Sequence, residues 1–247
     1  MTNSQRARFG WRQLCVIAGM AFPLVLGAVL GAVPAASAAS TSEVRAFDDG
    51  NAVTCRLDPG PYQLQVEKYL GLPQDGKQSE SDCAAIQRMQ QKYEIDPADG
   101  YAGLVSYRAA IVEWATTHKA SLTGCPKRSQ LVVCIDQARQ LLWLQKAGKI
   151  TFGPVPARTG MPGHRTRNGS HPIYKRVQKF WSHLYDGPIP YSQFFDGGQA
   201  LHASYRPIFE DPGSHGCVNL RYDDAKALWS ILRLGDSVYV WGTRQGA

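Results

Sequence analysis

Apolar positions recur at helical spacing in the first half of this chain and at strand spacing in the second. Leu64, Tyr69 and Leu70 suggest a first helix. Ile86, Met89 and Tyr93 fall at i, i+3 and i+7 on a second, and Tyr107, Ile111 and Trp114 at i, i+4 and i+7 on a third. Ser81 or Asp82 can cap the second helix and Ser106 the third, since a short polar side chain can accept from the free N–H groups of a first turn. After Cys125 the pattern changes. Residues 131–135 form a β-branched apolar run, residues 141–144 follow a polar break, and residues 150–155 resume past the turn Lys146-Ala147-Gly148-Lys149. These predict an antiparallel meander. Pro and Gly are frequent from 153 to 198, which reads as loop. Near the end, Asp223 caps a predicted helix with Ala225, Leu228, Trp229 and Leu232 on one face. Gly235-Asp236 ends it, and residues 238–241 form a final strand.

The order of elements predicts an α+β chain in two domains. A small three-helix N-terminal module spans 61–122, and a mostly β region with at least one helix spans 125–243. At 247 residues, 44% hydrophobic and 19% charged, the chain can fill such cores, and disorder over most of its length is excluded. The helical part carries a short repeat: Pro73-Gln74-Asp75-Gly76 returns as Pro97-Ala98-Asp99-Gly100, each copy a turn leading into a helix.

The first 38 residues read as a secretion signal. Arg6, Arg8 and Arg12 precede an uncharged apolar run over 14–33, and Ala36-Ser37-Ala38 follows as a cleavage site. Left uncleaved, the run is long enough to anchor in a bilayer; either way the rest of the chain lies outside the cytoplasm, secreted or in the cell envelope. A polar lead-in covers 39–60. The formal charge of +7 falls to +4 on cleavage, because three of the 27 basic residues leave and all 20 acidic ones stay. That mild excess suits an anionic polymer such as a cell wall. No basic helix with interleaved aromatics argues for nucleic acid.

Cleavage also removes Cys15 and leaves five cysteines in an oxidising compartment. Four cysteines allow three connectivities. Pairing Cys55 with Cys83 and Cys125 with Cys134 leaves Cys217 as an odd thiol. Cys217 sits in Ser214-His215-Gly216-Cys217-Val218-Asn219. A thiol that attacks a carbonyl needs a base, donors for the oxyanion and open approach. Gly216 permits a tight turn that aims successive N–H groups at one oxygen. His202, at the end of the apolar approach Gln199-Ala200-Leu201, can take the thiol proton, with its ring oriented by the Ala203 carbonyl. His118, His164, His171 and His183 fit no motif. No C-x-x-C or H-E-x-x-H set accompanies these residues, so no metal or other cofactor is predicted.

The stretch 131–241 resembles an L,D-transpeptidase catalytic domain of the YkuD type. The resemblance rests on His202, the 11-residue loop 203–213 and the Ser-His-Gly-Cys-Val-Asn run. The hairpin around 135–144 and the pair Thr159-Gly160 with Asn168-Gly169 support it. Two departures touch the cleft: Thr166-Arg167-Asn168-Gly169 replaces a T-P-x-G run, and Ala203 follows His202 where Gly or Ser is usual. The helical part resembles the three-helix peptidoglycan-binding module through Asp99-Gly100-Tyr101-Ala102-Gly103-Leu104-Val105-Ser106; its first copy lacks the second glycine.

The resemblance implies a mixed sheet or sandwich around the site. It implies Cys217 as nucleophile and His202 as general base and then acid. Ser214, His215 and Gly216 would form the oxyanion hole and its support, and Asn219, Arg221, Tyr191 and Phe194 would be substrate contacts. The implied partners are peptidoglycan stem peptides and glycan, met by a monomer that forms 3→3 cross-links through a thioester. Two alternatives stay open: an L,D-carboxypeptidase using the same site, and a non-catalytic wall-binding protein.

Overall fold

A computed structural model describes residues 53–245; the signal segment, Cys15 and most of the lead-in lie outside the described residues. Three helices come first: α1 (Gln63–Leu70), α2 (Glu80–Lys92) and α3 (Leu104–Thr117). Leu64 is exposed, and Val66 carries the buried face of α1 instead, beside Gln63 and Glu67. The cap of α2 is Ser79. Its hydroxyl accepts from the Asp82 N–H at 3.1 Å, while the Asp82 carboxylate accepts from the Ser79 N–H at 3.1 Å. This reciprocal capping box needs an acid at the third helical position, which moves the cap two residues upstream of Ser81. Ser106 likewise lies inside α3, after Gly103, and spends its hydroxyl on the Tyr101 carbonyl at 2.6 Å. The second Asp-Gly turn depends on its glycine: Gly100 has φ +79, and a Cβ there would lie 2.2 Å from Cys83 Sγ.

The strands build two sheets and a hairpin. β1 (Leu131–Asp136), β2 (Leu141–Lys146) and β3 (Lys149–Pro156) form the expected antiparallel meander. Short strands follow in the Pro/Gly-rich stretch: β4 (Gly169–Pro172), β5 (Lys175–Val177), β6 (Trp181–Ser182), β7 (Gly187–Pro188) and β8 (Ser192–Asp196). Then come β9 (Gln199–Ala203), β10 (Val218–Leu220), α4 (Tyr222–Ile231) and β11 (Ser237–Trp241). The five-stranded sheet runs β3-β2-β1-β11-β4, and the four-stranded sheet β10-β9-β8-β5; β6 and β7 pair only with each other. Arg221, not Asp223, is the N-cap residue of α4; the acids Asp223 and Asp224 sit in its first turn, where they favour the helix dipole.

β1 and β2 are buried on both faces. Val133, Ile135, Leu142 and Leu144 meet Leu201, Val218, Leu228 and Val240 in one core. Val132, Cys134, Leu141 and Trp143 point the other way and pack with Ile86, Ala109 and Val112 of the helices. This explains why residues 131–135 and 141–144 read as continuous apolar runs rather than alternating ones. All described residues belong to one compact unit. The helical segment and the β region share a core, so the helices cover a sheet face instead of standing apart as a second body. The disulfides Cys55–Cys83 and Cys125–Cys134 are present and Cys217 is free.

Candidate active site

β9 and β10 run parallel, with Val218 opposite Leu201, Asn219 opposite His202 and Leu220 opposite Ala203. Side chains alternate across a strand. Leu201, Ala203, Val218 and Leu220 enter the main core. Cys217 clusters instead with Ala200 and Phe194. Ala200 and His202 therefore share a face with Cys217 and Asn219, which sets the imidazole diagonally across from the thiol. Gly216 makes the turn into β10 at φ +113, packed so closely on Gln199 that a Cβ would meet its amide nitrogen at 2.4 Å.

His202 is 3% exposed. Its Nδ1 lies 2.8 Å from the Ala203 carbonyl oxygen, which fixes the Nδ1–H tautomer and leaves Nε2 as the acceptor. Nε2 has no partner. Burial pushes the ring pKa down to about 4; the Ala203 carbonyl opposes this and the Arg158 cation adds to it. Burial pushes the Cys217 thiol up, offset in part by the Ala200 N–H, and the thiol points at the Gly198 carbonyl 3.9 Å away. Both shifts favour the neutral thiol–imidazole pair at rest. Such a pair can transfer its proton as attack proceeds.

The loop that carries Cys217 is tied down by its own side chains. Ser214 Oγ donates to the Cys217 carbonyl at 2.5 Å and accepts from the Gly216 N–H at 3.0 Å. The His215 N–H donates to the Tyr185 hydroxyl at 3.0 Å. An oxyanion can reach the His215 N–H only if that hydroxyl withdraws. Tyr185 belongs to the β6–β7 hairpin, whose Leu184 is 70% exposed. The hairpin closes a cavity of about 390 Å³ lined by Arg167, Leu184, Tyr185, Phe194, His215 and Cys217.

The other expected contacts separate. Phe194 lines the thiol cavity. Asn219 is opposite His202, its Oδ1 without a partner. Tyr191 packs between Tyr222 and Trp229, and Arg221 pairs with Asp224 at 2.8 Å, both away from that cavity. Sequence reading missed Arg158, which is 1% exposed and has no carboxylate partner. Its guanidinium donates to the Pro207 carbonyl at 3.1 Å and to Ser204 Oγ at 3.2 Å, while its backbone pairs with Asn219. Burial, with Arg206 and Arg244 nearby, lowers its pKa to about 10. It also missed Thr166, whose hydroxyl accepts from the Gly160 N–H at 3.0 Å and donates to the Gly216 carbonyl at 2.9 Å. Only this chain's departure from the T-P-x-G pattern at 166–169 pointed there.

Residues 130–240 match the YkuD model, the L,D-transpeptidase catalytic domain. The crystal structure of an L,D-transpeptidase (Yku) from Stackebrandtia nassauensis is 38% identical, with a TM-score of 0.62, over 78% of this chain and 96% of that one. The chain belongs to the L,D-transpeptidase (YkuD) family. Membership makes it a transpeptidase, an enzyme of peptidoglycan modification. Two more distant L,D-transpeptidases align over less than half of this chain. One from Mycobacterium smegmatis is 19% identical over 46% of this chain and 59% of that one, TM-score 0.41. One from Mycobacterium tuberculosis H37Rv is 20% identical over 45% and 57%, TM-score 0.42. No curated protein matches the chain.

Proposed function

We propose that this L,D-transpeptidase is exported and forms 3→3 peptidoglycan cross-links through a thioester on Cys217. His202 Nε2 takes the thiol proton as sulfur attacks the carbonyl of the third, diamino-acid residue of a tetrapeptide stem. The same nitrogen returns the proton to the departing D-alanine. It then accepts a proton from the side-chain amine of a neighbouring stem, which attacks the thioester and frees the thiol. Backbone N–H groups of the 215–217 loop stabilise both tetrahedral oxyanions, with Ser214 holding that loop and Asn219 meeting the stem. The helical segment, residues 61–122, serves the same polymer. One observation carries the reading: an unpartnered, neutral His202 Nε2 shares a strand face with a free thiol. The two disulfides support export, since they persist in oxidising compartments.

The test is intact-mass spectrometry of the mature protein with a carbapenem, an acylating β-lactam. A mass gain of one drug molecule, absent in Cys217→Ala, is the expected result. Acylation of Cys217→Ala would end the proposal. Incubation with tetrapeptide stems should release D-alanine and yield cross-linked dimers; release with water as sole acceptor would make the enzyme a carboxypeptidase.

A further inference from the structure

A groove with an open volume of about 1000 Å³ lies away from the thiol. One wall comes from the helical segment at 90–106. The other comes from the residues that follow β9, at 204–210, and those that follow β10, at 221–224. Neither region forms the groove alone. The second Asp-Gly turn of the repeat contributes Asp99 and Tyr101 to its wall, so the motif that recurs in the sequence borders this cavity.

The opposite wall presents two large exposed rings. Tyr205 is 70% exposed and Tyr222 41% exposed, with ring centroids 6.0 Å apart and planes 28° from parallel. Adjacent exposed aromatics on a groove rim are a recurrent sign of recognition rather than packing. The lining carries six carboxylates and three cations, which disfavours a polyanion. Tyrosine faces beside carboxylates and guanidiniums suit a neutral sugar chain: the apolar C–H face of a pyranose lies on the ring, and its hydroxyls donate to the carboxylates.

The position of the groove fits that ligand. β9 and β10 are parallel, with Cys217 just before the start of β10 and the groove at the far end. Arg221 lies four positions beyond Cys217, a rise of about 13 Å at about 3.3 Å per residue. A stem attacked at its third residue has its sugar attachment three residues away, roughly 10–11 Å when extended. The two spans are comparable.

We infer that this groove binds the glycan strand that bears the processed stem, with Tyr205 and Tyr222 as its platform. The assignment of a stem to Cys217 rests on the function proposed above; glycan binding itself does not. The groove thereby holds polymer and catalyst in a fixed relation, and substrates with sugar attached are preferred over free peptides.

The experiment uses the full mature chain and glycan strands stripped of their stems, with binding followed by titration calorimetry. Tyr205→Ala is expected to weaken binding at least tenfold, and Tyr205→Phe to retain it. Because Tyr205 is mostly exposed, its loss leaves the fold intact, which circular dichroism checks. With muropeptide donors, Tyr205→Ala is expected to lower kcat/KM at least tenfold more for glycan-linked stems than for free tetrapeptide. Unchanged glycan binding in Tyr205→Ala overturns the inference. So does an equal loss on both donors, or binding of free tetrapeptide in the groove. Should Cys217 prove not to be the nucleophile, the calorimetry still decides whether the groove takes sugar.

Discussion

Arg108 and Asp211 lie 103 residues apart in sequence and are joined by two hydrogen bonds from one guanidinium nitrogen, at 3.1 and 3.2 Å. Arg108 also donates to the Phe209 carbonyl at 2.7 Å. Arg244 meets the same carboxylate and Gln140 besides. Gln140 in turn bonds Thr159, and the Thr159 carbonyl accepts from the Ser214 N–H at 3.0 Å. The loop between His202 and Cys217 is thus pinned to α3. Although burial pushes the Asp211 carboxyl up, Arg244 and Arg108 hold it below the usual carboxylate range.

Arg108→Met should therefore lower stability by about 2 kcal/mol, the scale of a lost charged hydrogen-bond network with one cation remaining. Arg108→Lys keeps the charge without the fork and should recover less than half of it. Urea denaturation midpoints measure both.

His202→Ala should slow acylation of Cys217 by about 10²–10⁴-fold, the range for loss of a positioned base. Stopped-flow fluorescence with a carbapenem reads this directly. A rate within threefold of the parent would exclude His202 as the base.

The depressed pKa of His202 fixes the direction of a pH effect. The ring binds a proton near 6.5 when the chain unfolds but only near 4 when folded. Its contribution to stability is present above about 6.5 and is lost as pH falls toward 4. His202→Gln removes that component, so its stability should fall less steeply over the window, as thermal melts at several pH values would show. Arg158→Met removes a neighbouring cation and should raise the ring's pKa, visible in the NMR titration of His202.

Tyr185→Phe deletes the hydrogen bond from the His215 N–H to the hairpin. The β6–β7 hairpin should open more often, and iodoacetamide should alkylate Cys217 severalfold faster. An unchanged alkylation rate would mean the hydroxyl does not hold the hairpin closed.

The disulfides close loops with sequence separations of 28 and 9 residues. Chain entropy assigns them roughly 3–4 and 2–3 kcal/mol respectively. Cys55→Ser with Cys83→Ser should thus cost more than Cys125→Ser with Cys134→Ser, a ranking that denaturant titration checks.

Much of this was readable beforehand, for identifiable reasons. The meander and β11 announced themselves as apolar runs bounded by turns. The capping positions at Ser79 and Arg221 did not, because several polar residues compete at each helix start. β4 to β8 were hidden in a Pro/Gly-rich stretch, where strands of two to five residues are too short to show a period. Cys217 and His202 stood out by motif. Arg158, Thr166 and Tyr185 carry no motif, since their partners are backbone atoms distant in sequence. Leu64 misled because apolar spacing over eight residues does not decide which side of a short helix is covered.

The last strand of the catalytic region is not at an edge. β11 lies between β1 and β4, in parallel register with β1 from Val132 to Asp136. Until residues 237–241 are available, β4 has no neighbour in that sheet and one side of β1 is open. The polypeptide cannot finish this sheet before residues 237–241 have been made. A product cut short before residue 237 would leave β1 and β4 without their shared neighbour and the five-stranded sheet unassembled.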